Sequence, residues 1–193
     1  MDRNKIIELE KYIFGVVEKP GVAAGMVADI VGVLIDLKPA MIGSLSEDKR
    51  FEEMMDKLNL ERVYFEHDSM KCFCASKKIK IAEKTRMAFA KLWSTMNDEG
   101  EILDRKKWVK ATKRIGKLLG YPKTAVNEYV NETDLESEER MKRMERNRYY
   151  AHSAKFEEGE FNSYDRKLNK AISELAPKTA EFLSSNKEKR WLE

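Results

Sequence analysis

Between Ala40 and Ala75 the apolar residues change their period, and this limits the folds open to the chain. Ala40 to Leu45 reads as a short strand. Ser44-x-x-Glu47 has the form of a capping box, opening a helix with Phe51, Met54, Met55 and Leu58 on one side. From Arg62 to His67 the pattern alternates, with Val63, Phe65 and His67 on one face and Tyr64 and Glu66 on the other. Asp68-Ser69 supplies turn chemistry, and Lys71 to Ala75 returns as a second strand of a hairpin. The expected unit is β-α-β-β over about 40–75, the only stretch with strand periodicity. A sheet this small needs helices against it. The expected fold class is therefore α+β, mostly α-helical, with the sheet packed against a helical C-terminal half.

The rest of the chain carries helical spacing. In residues 4–18, Ile6, Leu9, Tyr12, Ile13 and Val16 form one face, which Pro20-Gly21 is expected to end. Residues 22–35 are apolar nearly all round, the mark of a buried helix. Gly25, Ala28 and Gly32 would let a neighbour approach, and Asp29 is expected at a solvent edge or paired with one Lys or Arg. Ile81, Ala82, Ala88, Phe89, Leu92, Trp93 and Met96 form another stripe. A helix over about 104–119 would bury Trp108, Ala111, Ile115, Leu118 and Leu119 and stop at Gly120. A short helix is expected over about 123–131, and Thr133-x-x-Glu136 would open another. Residues 153–163 read as a loop. Leu168, Ala171, Ile172 and Leu175 mark a further helix, Pro177 starts a new turn with Phe182 and Leu183, and 186–193 frays. With 193 residues, one core is expected, from N-terminal helices (1–36), the sheet unit (37–75) and a helical part (76–185).

Composition narrows the setting. Two cysteines cannot form a disulfide framework, so a reducing cytoplasm is expected. The apolar run from Gly21 to Ile35 is too short for a bilayer and contains Asp29, so no membrane role is expected. Glutamine is absent while Lys and Glu abound, a composition that points to a thermophilic prokaryote. The net charge of +3 identifies no partner. No phosphate-binding loop, dinucleotide fingerprint, zincin helix or nucleophile elbow occurs, and nothing calls for a cofactor.

Charge is concentrated in one place. Residues 105–127 hold eight basic side chains and no acid. At 100° per residue, Lys106, Lys110, Lys113 and Lys117 form a stripe roughly opposite Trp108, Ile115 and Leu119. With Arg105 and Arg114 they are candidate nucleic-acid contacts, because each cation that neutralises a phosphate releases counterions. The alternatives are a solvated face balanced by acids in 132–139 and an acidic protein partner. No aromatics interleave the stripe, so it does not suit single-strand base reading.

Two groups of residues suggest other chemistry. A hairpin loop over 68–71 would set His67 across from Cys72, with Cys74 further along the same face. These three could begin a zinc or iron site, but they lack a fourth ligand nearby, and ordinary core packing also accounts for them. In Arg146-Asn147-Arg148-Tyr149-Tyr150-Ala151-His152, a permanent cation lies about two helical turns from an imidazole. Such a pair could support metal-free RNA cleavage, with His152 acting on the 2′-hydroxyl and Arg146 stabilising the phosphorane. The string resembles the Arg-x(4–6)-His motif of the HEPN (higher eukaryotes and prokaryotes nucleotide-binding) ribonucleases. That resemblance implies a motif at the dimer interface of a four-helix bundle.

A second resemblance lies at Leu118-Leu119-Gly120-Tyr121-Pro122. With Lys123-Thr124-Ala125 it resembles a segment of a largely archaeal family, domain of unknown function four-eight-three. Members often carry paired cysteines after the Pro, where this chain has Thr124-Ala125. The resemblance implies a soluble prokaryotic protein and brings no activity with it. Three readings follow from the sequence. The first is a binding or regulatory module that contacts nucleic acid or an acidic partner through its basic helix. The second is a HEPN-like ribonuclease using Arg146 and His152. The third is a helical oligomerisation protein, such as a homodimer, whose Gly25/Gly32 helix or exposed aromatics form the subunit contact.

Overall fold

The computed structural model describes residues 2–44, 48–67, 69–97, 100–131 and 158–185. In chain order these form α1 (Arg3–Val16), α2 (Pro20–Leu34), β1 (Met41–Ser44), α3 (Lys49–Lys57), β2 (Glu61–His67) and β3 (Met70–Ser76). They continue as α4 (Ile79–Trp93), α5 (Arg105–Leu118), α6 (Lys123–Asn131), α7 (Glu158–Leu175) and α8 (Pro177–Ser185). The fold is α+β and mostly helical. Among the described residues no helix is long and apolar enough to cross a membrane.

The sheet is antiparallel throughout, in the order β1-β3-β2. Alternation sends its two faces to different neighbours. On one face Phe73 meets Phe51 of α3, with ring centroids 5.3 Å apart, and Tyr64 packs beside it at 6.0 Å. The Glu52 carboxylate of α3 accepts hydrogen bonds from the Arg62 guanidinium and the Tyr64 hydroxyl, pinning helix to strand. On the other face Phe65 and His67 lie against Phe89 of α4, each at 5.4 Å. The sheet therefore has helices on both sides, not only from the C-terminal half. Its α3 side belongs to a core that includes Ile6, Leu9 and Ile13 of α1, most of α2, and Leu168 and Ile172 of α7.

Four local expectations are corrected. Ser44 does not cap α3: it ends β1 opposite Cys72, and its Oγ donates to Lys71 O. The cap is Asp48, whose Oδ1 accepts from the N–H of Arg50 (2.7 Å) and Phe51 (3.3 Å). Pro20 does not end α1 but opens α2 at a position where a missing N–H costs nothing. Residues 158–163, expected in a loop, begin α7. Of the two α2 glycines expected to admit a neighbour, Gly25 faces open space. Only Gly32 is closely approached, with Lys38 Cδ 3.0 Å from where a Cβ would stand. The helix expected from Thr133 and the tail 186–193 lie outside the described residues.

Candidate functional site

α5 begins at Asp104, whose Oδ1 accepts the N–H of Lys107 at 3.0 Å. That bond and the Lys107 side chain hold the Asp104 carboxyl below its ordinary range. The helix buries Trp108, Ala111, Thr112, Ile115 and Gly116, and leaves Lys106, Lys110, Lys113, Arg114 and Lys117 exposed. Those five form no ion pair with any described residue. The stripe from Lys106 to Lys117 runs about 16 Å along the axis. Arg105 does different work from its neighbours. Its guanidinium donates to Val130 O of α6 and lies 5.0 Å from the Trp108 ring centroid, tying the start of α5 to the end of α6. Lys107 is held by Asp104 at 3.1 Å.

The 118–122 segment has a packing role. Gly120 turns the chain at φ +75°, and the Tyr121 N–H closes the helix end on Gly116 O at 2.9 Å. A Cβ at Gly120 would stand 2.9 Å from both Leu37 O and Lys38 Cα, so the turn lies directly on the link between α2 and β1. Lys38 there is only 3% exposed, and its ammonium donates to the Asp29 carboxylate on α2. The same ammonium lies 5.3 Å from the centre of the Tyr121 ring. Burial, then the Asp29 charge, pushes the Tyr121 hydroxyl well above its ordinary range. Asp29 thus has the single basic partner expected of it. That the partner is Lys38, and that it is buried, carried no local sequence signal.

Behind the basic face is a cavity of about 230 Å³ between α4, α5 and α6, with β1 at one end. Its lining includes Ile42, Phe89, Leu92, Thr112, Ile115 and Val126. Gly116 completes the α5 wall: a Cβ there would stand 2.6 Å from Val126 Cγ2, so the missing side chain lets α6 close on α5.

The hairpin residues do not meet as expected. The turn is shorter, placing Ser69 at φ +62°, so His67 pairs with Met70 and Cys72 pairs with Phe65. His67 is instead packed in an aromatic group, tilted against the Trp93 ring with centroids 4.2 Å apart. Cys72 and Cys74 are both buried and not joined in a disulfide, and burial pushes the Cys74 thiol up to about 12. Among the described residues no group of three His, Cys, Asp or Glu side chains could hold a metal ion. Arg146 and His152 lie outside the described residues. No protein-family model, curated protein or solved structure matches this chain.

Proposed function

We propose that the protein is a binding module that engages the phosphate backbone of a nucleic-acid duplex through the exposed face of α5. One observation carries the reading: Lys106, Lys110, Lys113, Arg114 and Lys117 project from one helix with no ion pair to a described acid. Lysines held by neighbouring carboxylates would have little charge left to offer. The 16 Å stripe matches about five phosphate steps of one strand. The rings nearest it, Trp108 and Tyr129, are packed on each other at 5.8 Å rather than presented for stacking. That favours backbone contact over base reading.

The test is a panel of duplex and single-stranded DNA and RNA, incubated with the full chain in EDTA across a salt series. Retardation and cleavage are read on the same gels. Retardation of duplexes that weakens steeply with salt is the expected result. No retardation at low salt overturns the reading and leaves an acidic protein partner or self-association. Cleavage abolished by His152→Ala replaces it with the ribonuclease.

A further inference from the structure

We infer that α4 carries a second row of phosphate contacts, Lys80, Lys84 and Lys91, and that the two rows together hold both strands of a duplex across one groove. The inference rests on the reading of α5 as a polyanion contact and names what lies beside it.

The two rows share one pattern. Lys80, Lys84, Met87 and Lys91 are all exposed, and they have the same spacing along α4 as Lys106, Lys110, Lys113 and Lys117 along α5. Each row therefore runs about 16 Å. None of the three α4 lysines forms an ion pair with a described residue, including Glu83, the one acid of α4. Like charges at i and i+4 work against a helix, so Lys80 with Lys84, and Lys106 with Lys110, oppose folding in the free protein. A polyanion laid on this face turns that repulsion into attraction.

The fold puts the rows on one side. The link after α4 doubles back through an antiparallel bridge between Met96 and Ile102, and the Leu103 N–H donates to Thr95 O at 2.9 Å. α5 thus returns antiparallel to α4 and packs beside it. Phe89 of α4 and Ile115 of α5 both line the cavity that the two helices share. At 100° per residue each lysine row lies roughly opposite its own cavity residue, so both rows point away from the cavity.

The axes of packed helices lie about 8–10 Å apart. The grooves that separate the strands of a duplex are about 6 Å and about 12 Å wide, so rows at this spacing suit phosphates on either side of a groove. A single strand offers one line of phosphates and can occupy only one row.

The test follows the anisotropy of a labelled DNA duplex and of labelled oligothymidine across a salt series. The full natural chain is compared with Lys80→Gln/Lys84→Gln/Lys91→Gln and with Met87→Lys, and circular dichroism confirms that the helices persist. The triple variant is expected to bind the duplex at least about tenfold more weakly, with a slope of log K against log salt shallower by about 2.7, or about 0.9 for each phosphate lost. Its affinity for oligothymidine is expected to change by less than about threefold. Met87→Lys completes the row, so its duplex slope is expected to steepen by about 0.9. A duplex slope unchanged in the triple variant, while Lys110→Glu/Lys113→Glu/Lys117→Glu still weakens binding, would overturn the inference and leave the α5 reading standing. Equal losses on duplex and oligothymidine would overturn the assignment of α4 to a second strand. No binding of either probe by the natural chain at low salt would overturn the α5 reading, and this inference with it.

Discussion

The Lys38 ammonium and the Asp29 carboxylate are joined by a hydrogen bond in which one partner is 3% exposed and the other 31%. The asymmetry decides what each substitution should do. Asp29→Asn takes the opposite charge away from a buried ammonium, and a loss of about 3 kcal/mol in chemical denaturation is expected. Lys38→Met removes the buried charge and leaves a carboxylate that water can reach, so the loss should be nearer about 1 kcal/mol. The double variant should recover most of the Asp29→Asn loss. Equal, additive losses would show that the two groups do not depend on each other.

Gly120 holds the 118–122 turn against the 37–39 link. Gly120→Ala meets two obstacles, a left-handed φ and a Cβ placed 2.9 Å from backbone on the facing link. A loss of about 2–3 kcal/mol is expected, the upper part of the range for left-handed strain, because the facing backbone leaves the Cβ no room. A loss below about 1 kcal/mol would mean that the link yields.

These two relationships also mark where sequence reading stops. The strands are legible at 62–67 and 71–75 because alternation is a local property of a half-buried strand. Their register is not. A slip of two residues keeps every side chain on its face, so alternation cannot distinguish His67 opposite Cys72 from His67 opposite Met70. Only the turn decides, and Ser69 adopts a left-handed conformation that allows a tight one. The basic face of α5 is legible because charge and helical period both lie within one element. The cavity behind it is not, because its walls come from four elements.

Glu10 gives a third case of the same limit. On the sequence it is one more charge on an amphipathic helix, yet it is 1% exposed and accepts the N–H of Thr179 at 2.6 Å and of Lys178 at 3.3 Å. It thereby satisfies the first turn of α8 from the far end of the chain, where a negative charge also suits the helix dipole. Glu10→Ala should cost about 3 kcal/mol and speed amide exchange first in α8, read by hydrogen exchange. Uniform acceleration over the whole chain would argue that Glu10 does not act through α8.

Cys74 sets an alkaline limit. Burial raises its thiol to about 12, against about 8.5 in an unfolded chain. A raised folded value means that the contribution is complete below the unfolded pKa and lost as pH climbs from there toward the folded one. Stability should therefore fall between pH 8.5 and 12, with this thiol contributing up to about 1.4 kcal/mol per pH unit. Cys74→Val should flatten that slope. At pH 8.5 iodoacetamide should spare Cys74 in the folded protein and label it in urea, read by peptide mass. Rapid labelling without denaturant would contradict the burial.

The central claim is that α5 carries its charge for a polyanion, and the most direct test is the salt dependence of binding to a labelled duplex. Fluorescence anisotropy would be followed for the natural chain and for Lys110→Glu/Lys113→Glu/Lys117→Glu, with circular dichroism confirming that the helices persist. If Lys106, Lys110, Lys113 and Lys117 each neutralise one phosphate, they should contribute a slope of about −3.6 in log K against log salt. The triple variant should bind at least about a hundredfold more weakly and lose most of that slope. Unchanged affinity and slope in the folded triple variant would contradict the assignment of α5 as the interface.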